Sequence, residues 1–515
     1  MNQNNISAAE LFQRVRELLM LPELEPQTRN KMMHDTLILC CHEGVKDTKQ
    51  AFGNLFSQVD YLCKARGIKV ADKIAIQTMR RHSNSQEPLS GEDLKYDARA
   101  LALFISAVFG VDVPHELNVL IPHTPRPYQK GLEINNRRIR CIVKNWDGDF
   151  IRVDIDQDAD EEEYLVQLKD EENHIDHTYL WDILKEGMQL NLLDCQVKQP
   201  IITPRLIVVE PDYLVDISSI ATCFTAFGHH PLLYLLNLMK PRANTQATLL
   251  GNFAGAALDD IINSHGKYQM NETVKTNFRE KALEFCTCPW FDAKKFYTDA
   301  SLQAFNLQQV VDILFPRTAS QAKMSAFRGE SLYDRKKAIL EPSFVCEALG
   351  IQGRVDLMTT DCKLLVEQKS GRNMNIETHQ VDPGYHSYQL EPHYVQLLLY
   401  YGVLQHNFKL SNDRVNIRLL YSKYRPQDGL MVVAYYQKLF KEAIQYRNQL
   451  VAASFEIAKE GFEHALNEFT PEVLNVAGTQ DFFYNKYLKP QIEAITKPLH
   501  DLSPLEEAYF CRMMT

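Results

Sequence analysis

Several things are missing from this chain. No apolar run in its 515 residues approaches the roughly 18 needed for a membrane-spanning helix. The opening Met1-Asn2-Gln3-Asn4-Asn5 has no basic start and no apolar stretch, so no secretory signal peptide is expected. There is no G-x-x-x-x-G-K-[ST] phosphate loop, and Gly266-Lys267-Tyr268 does not qualify as one, so no nucleotide-driven motor is expected within the chain. There is no Gly-x-Ser-x-Gly elbow. The 11 cysteines have no regular spacing. Cys40-Cys41 and Cys286-Thr287-Cys288 lack partner C-x-x-C or H-x-x-x-H elements. A disulfide framework and a structural zinc are therefore not expected, and buried thiols in a reducing cytoplasm are.

What is present describes an ordinary globular protein. Its 45% hydrophobic and 24% charged residues fit that class, and its length suits about three domains. The net charge is −10, which by itself disfavours a nucleic-acid partner. The charge is local, however. Asp154 to Glu172 holds ten acids and one base, Lys169, and the rest is close to balanced. That run reads as a solvated loop or as a DNA-mimicking flap. The densest basic cluster is Arg317, Lys323, Arg328, Arg335, Lys336 and Lys337. It reads as a solvated helix face or as a groove that tracks a phosphate backbone.

The pattern changes along the chain. Residues 1–112 form an all-helical N-terminal domain, helical throughout from residue 6, with i, i+3, i+4 apolar spacing in Ala8–Leu19 and a start signal at Ser90. Pro114, Pro122, Pro125 and Pro127 punctuate a linker over 113–127. The short β-branched runs Arg137–Val143, Phe150–Val153, Leu190–Leu193 and Arg205–Val209 predict a small barrel-like β domain over 128–212, of the oligonucleotide-binding kind or similar. From 213 to 465 helices and strands mix. Helices are expected at Pro231–Lys240, Leu249–Ser264, Glu272–Glu284 and Tyr436–His464, and strands at Arg414–Ser422 and Gly429–Ala434. Residues 466–515 read as a helical C-terminal segment.

The chemistry concentrates in two adjacent runs. Gly353-Arg354-Val355-Asp356 ends one strand-like stretch. A turn-like Thr359–Lys363 follows, and Leu364-Leu365-Val366-Glu367-Gln368-Lys369 ends the next. Strands joined this way place Asp356 beside Glu367, and the period of two puts Glu367 and Lys369 on one face. Two carboxylates and an ammonium converging on a point suit metal-assisted phosphodiester hydrolysis. Downstream, His393–Tyr401 reads as a helix with Gln396 and Tyr400 on one face.

The order G-x-x-D, hydrophobic-E-x-K, Q-x-x-x-Y resembles the PD-(D/E)xK nucleases of the RecB-like branch. The resemblance covers residues 215–455. It implies an α/β nuclease core, a mixed central sheet flanked by helices. It also implies Asp356 and Glu367 as ligands of Mg²⁺ or Mn²⁺, Lys369 as the group that orients water and stabilises charge on the phosphate, and Gln396 and Tyr400 as groups that fix the substrate strand or brace the metal ligands. The implied substrate is DNA, single-stranded or flapped, in replication, repair or recombination. A helicase motor in cis or in trans is the implied partner.

Relatives in this branch begin with a helix carrying His-x-x-x-acid. Here Asp259 stands at the acid position and Gly255 where the histidine would be. Asp259 reads either as a third metal ligand or as a polar residue on an outer helix face. The iron–sulfur cluster of some relatives needs one early cysteine and three late ones. This chain has Cys223 early but only Cys511 beyond Tyr400, so no cluster is expected. His379, His386 and His393 recur every seven residues. Asn373–Pro392 is expected to be a mobile loop over the site. His393 reads either as a phosphate contact or as an ordinary first-turn residue. The rival to the nuclease reading is a non-catalytic DNA-binding or scaffold protein on a degenerate nuclease fold.

Overall fold

The structure is a computed structural model. It describes residues 6–85, 87–126, 132–155, 163–225, 228–239, 244–381, 387–410, 414–468, 470–475, 482 and 484–515. The protein is mixed α/β, with N-terminal helices, a five-stranded barrel, and a mixed sheet with helices later in the chain.

The N-terminal unit holds α1 (Ala8–Leu19), α2 (Pro26–Val45), α3 (Leu55–Ala65), α4 (Val70–His82), α5 (Gly91–Phe109) and α6 (His115–Asn118). Ser7 and Glu10 cap α1 reciprocally, and Ser90 caps α5. Gly110, at φ +68°, ends α5 in the left-handed conformation that a side chain disfavours. Leu11, Leu37, Leu101 and Phe104 form its shared core.

Two expectations for this region need correcting. It is not helical throughout, because Ala51–Phe52 forms a strand, β1. The linker also begins later than residue 113, because Leu117 of α6 and Ile121 pack into the helical core. Proline punctuation marks irregular backbone, not a lack of burial.

The barrel comprises β2 (Asn136–Asp147), β3 (Phe150–Ile155), β4 (Tyr164–Gln167), β5 (Gln189–Lys198) and β6 (Ile201–Val209), closed in the order β2-β3-β4-β6-β5. In β2, Ile139, Cys141 and Val143 point inward while Arg138, Ile142 and Lys144 face out, the alternation of a strand with one wet face. The pair β4–β6 is parallel and the other four are antiparallel. Four-residue β4 was not foreseen. The acidic run begins on β3, but residues 156–162 of it lie outside the described residues.

The second sheet uses β7 (Ala338–Leu340), β10 (Leu357–Thr359), β11 (Leu364–Lys369), β12 (Asn416–Tyr421) and β13 (Leu430–Val432). Its order is β1-β13-β12-β11-β10-β7. The hairpin β8 (Ser343–Cys346) and β9 (Ile351–Arg354) stands beside it. Leu364, Leu365, Val366 and Glu367 are all buried, which is the signature of a strand covered on both faces. Leu364 and Val366 pack toward helices α7 (Gln246–Asn263) and α8 (Ala293–Leu314). Leu365 packs toward α9 (Glu391–Phe408) and α10 (Gln437–Glu460).

Two helices are shorter than the sequence suggested. The Glu272–Glu284 helix is broken at Lys281 into Met270–Glu280 and Ala282–Cys286. The Tyr436–His464 helix stops at Glu460, because Gly461 at φ +91° turns the chain.

Units are tied together by polar contacts. The fully buried guanidinium of Arg447 on α10 donates to the carbonyls of Gly350 (3.1 Å), Glu210 (2.9 Å), Tyr213 (2.6 Å) and Val209. Its neighbour Asn448 accepts from Val209 N–H (3.0 Å) and donates to Ile207 C=O (2.8 Å). The barrel is thus fixed to the sheet unit through backbone groups. The C-terminal segment packs Ile492, Leu488 and Cys511 on Leu232–Met239 through Leu233 and Leu236.

Candidate functional site

The sheet register assembles the acidic residues. Leu357 pairs with Val366 in an antiparallel ladder, so Asp356 stands opposite Glu367. Leu340 pairs with Leu357, so Glu341 stands opposite Asp356. Glu341 N–H donates to Asp356 C=O at 3.0 Å. Three carboxylates therefore stand in a row, at neighbouring positions at the ends of three paired strands. Glu341 was missed at the sequence level, because Ala338-Ile339-Leu340 is too short a run to read as a strand.

Glu367 is only 2% exposed. Its Oε1 accepts from Lys369 Nζ at 2.8 Å, while its buried Oε2 has no hydrogen-bond partner among the described groups. Burial, then the charge of Asp356, pushes its carboxyl up to about 8 against the pull of Lys369. Asp356 accepts the Gln368 N–H at 2.6 Å. Burial raises its carboxyl too, opposed by that N–H and by Lys369.

Gln396 and Tyr400 act one layer behind. Lys369 Nζ donates to Gln396 Oε1 at 2.8 Å. Tyr400 Oη donates to Arg354 C=O at 2.7 Å, two residues before Asp356. The four-residue spacing on α9 is what lets one helix face hold both the ammonium and the backbone leading to Asp356. Gly353 makes this fit possible. A Cβ there would lie 2.9 Å from the Tyr400 ring, so the aromatic ring passes over bare backbone.

Helix α7 brings Asp259 to the same charge cluster. Burial, then the charges of Glu341, Asp260 and Asp356, push Asp259 up to about 6. Gly255 stands one turn before it, and a Cβ there would meet nothing within 4 Å. This glycine does not serve close packing.

The other expected residues have different surroundings. His393 is half-buried, with Nδ1 3.1 Å from Tyr421 Oη, and burial followed by the Lys369 charge lowers it to about 3. It is a neutral neighbour of Lys369. His379 is exposed at the end of a short helix, Met374–Thr378, within the expected loop, and His386 lies outside the described residues. Arg335 donates from Nε to Ile262 C=O (2.7 Å) and from Nη2 to Ile261 C=O, and Arg317 donates to the carbonyls of Ser264 and Gly266. Both guanidiniums satisfy the carbonyl end of α7. Arg328 donates to Lys49 C=O in the N-terminal unit. Lys337 pairs with Asp361 at 3.1 Å, and Lys336 is exposed. The six-residue basic cluster is therefore not one face. Charge density along a sequence does not say which way each side chain turns. Cys223 lies in the core beneath α9 and Cys511 in the C-terminal helical cluster.

Among the described residues no set of three or more His, Cys, Asp or Glu is arranged as a ready metal site. Each carboxylate of the row is turned to a partner within the chain: Glu367 to Lys369, Asp356 to an N–H, and Glu341 to Arg354 at 3.0 Å. The donor set nonetheless fits a hard divalent cation. It is all oxygen, and it includes an orphaned, buried carboxylate oxygen beside the half-buried carboxylate of Asp356.

No protein-family model matches the chain, and no curated protein matches it. The functional reading rests on this geometry.

Proposed function

We propose that this protein is a metal-dependent deoxyribonuclease with a PD-(D/E)xK core of the RecB-like type, hydrolysing phosphodiester bonds in single-stranded or flapped DNA. The observation that carries the proposal is the Glu367–Lys369–Gln396 chain set beside Asp356, with Tyr400 bonded to Arg354 two residues before Asp356. A purely structural ion pair has no need of a second carboxylate crowded against it and sharing its one ammonium.

Asp356, Glu367 and Asp259 would hold Mg²⁺ or Mn²⁺, which supplies a polarised phosphate and a more acidic water when bound. Lys369 places an ammonium at the mouth of the row, where it orients the attacking water and offsets charge on the phosphate. Gln396 fixes that ammonium, and Tyr400 fixes the backbone at Arg354, two residues before Asp356. The closed five-stranded barrel with one parallel pair supports reading it as of the oligonucleotide-binding kind, which suits a role beside a nuclease. A helicase motor in cis or in trans, and work in DNA replication or repair, are part of the same reading. All 11 cysteines are free thiols, which suits a cytoplasmic protein. No helix among the described residues is long and apolar enough to cross a membrane.

A second reading is a non-catalytic DNA-binding scaffold on a decayed nuclease fold. Gly255 in place of an imidazole favours it. One experiment separates the two: incubation of the protein and of Lys369→Ala with labelled single-stranded DNA and Mn²⁺. Lys369 is half-buried at a strand end, so the variant should fold. Cleavage by the wild type alone supports the nuclease. Equal cleavage by a folded variant, or none by either, refutes it.

A further inference from the structure

Glu341 has three properties that an ordinary surface acid lacks. Its backbone is left-handed at φ +47°, a conformation uncommon outside glycine, asparagine and aspartate. Such strain persists where the surroundings demand it. The residue also stands opposite Asp356 and is locked there by its N–H. Its charge, finally, is the largest charge effect on Asp259, after burial, and it also raises Asp356. Glu341 therefore lies close to both acids while coming from the residue just after a different strand, Ala338–Leu340.

Among the described residues it pairs with Arg354, at 3.0 Å, with side chains 42% and 61% exposed for Glu341 and Arg354 respectively. An ion pair so open to water holds weakly. Arg354 is itself placed by the site, because its carbonyl accepts from Tyr400 Oη. Across the row, the orphaned Oε2 of Glu367 marks where positive charge is wanting.

We propose that Glu341 is a further cation-holding carboxylate of this site, kept aside by Arg354 until a divalent cation binds. The proposal rests on the metal-dependent reading above. It makes Arg354 a competitor for Glu341. Mutual repulsion among Glu341, Asp356 and Asp259 is relieved in the free protein by Arg354 and in the loaded protein by the cation.

The test is a calorimetric Mn²⁺ titration of the whole, metal-free chain without substrate. The proteins are the wild type, Glu341→Gln, Arg354→Met, the double variant, and Asp356→Asn as reference. Glu341→Gln should weaken Mn²⁺ binding by about tenfold or more, as expected for removing one nearby charge. Arg354→Met should tighten it, and the gain should largely vanish in the Glu341→Gln background, because the competitor then has nothing to withhold.

If Asp356→Asn loses binding while Glu341→Gln does not, Glu341 is outside the site and the proposal falls, with the nuclease reading intact. If Arg354→Met tightens binding equally in both backgrounds, Arg354 acts only as a distant charge and the reserve role falls. If Asp356→Asn also binds normally, the cation sits elsewhere and both readings fall. Circular dichroism checks folding. Should Glu341→Gln fold poorly, Glu341→Asp keeps the charge and shortens the reach. Weaker binding by that variant supports the proposal, and unchanged binding overturns it.

Discussion

Replacing Glu367 by glutamine should make the metal-free protein more stable at alkaline pH. The carboxyl is buried, and its ordinary value of 4.5 is pushed up to about 8. A carboxyl raised on folding contributes stability that is complete below the unfolded value and is lost as pH climbs through the folded one. The loss here runs from about pH 4.5 to about pH 8. At about 1.4 kcal/mol per pH unit, the cost of ionising Glu367 in the fold has an upper bound of about 5 kcal/mol. Glutamine escapes that cost but gives up the ion pair with Lys369, whose other contact, to Gln396, remains. The net gain should be about 1–3 kcal/mol at pH 8.5, in line with replacing buried charges by neutral groups. Near pH 5 it should shrink to almost nothing. Thermal melts in chelator from pH 5 to pH 9 would show a difference of a few degrees that opens with pH. Adding Mn²⁺ should reverse the order, because only the wild type keeps the charged ligand. A Glu367→Gln protein less stable than wild type at pH 8.5, or a difference independent of pH, would refute the account of Glu367 as an under-compensated charge.

Three further outcomes follow from packing. Gly255→His should fold normally, since a Cβ there meets nothing, and should bind Mn²⁺ more tightly than wild type because imidazole favours transition metals; a lower melting temperature with no recovery in Mn²⁺ would discard it as a vacated ligand position. Gly353→Ala should cost about 1–3 kcal/mol through overpacking on Tyr400 and reduce cleavage; denaturant melts and a nuclease assay check both, and wild-type behaviour in the two would contradict the close approach. Arg447→Ala should cost about 3 kcal/mol or more, because it strips the donor from four buried or half-buried carbonyls. Limited proteolysis should then cut between the barrel and the sheet unit, near residues 209–215, where the wild type resists.

Short-range rules carried the sequence reading some way. Alternation in Arg137–Val143 reports a strand with one wet face, and that follows from pleat geometry alone. The spacing from Asp356 through a turn to Glu367 and Lys369 places three charges together, because a hairpin register leaves few alternatives. The four residues between Gln396 and Tyr400 place both on one helix face for the same local reason.

Long-range contacts decided the rest. Ala51–Phe52 is two residues long and becomes a strand only because the edge of β13 offers it a ladder. Glu341 joins the acidic row through a three-residue strand that no periodicity can announce. Arg317 and Arg335 sit in a basic run that reads as a solvated face or a phosphate groove, and each bonds carbonyls at the end of a helix more than 50 residues earlier in the chain, which no local rule announces. The sequence by itself determined which residues could do chemistry and which lay within one turn or one hairpin of each other. Only the tertiary structure decided which charges are compensated, because compensation depends on partners that the chain brings from far away.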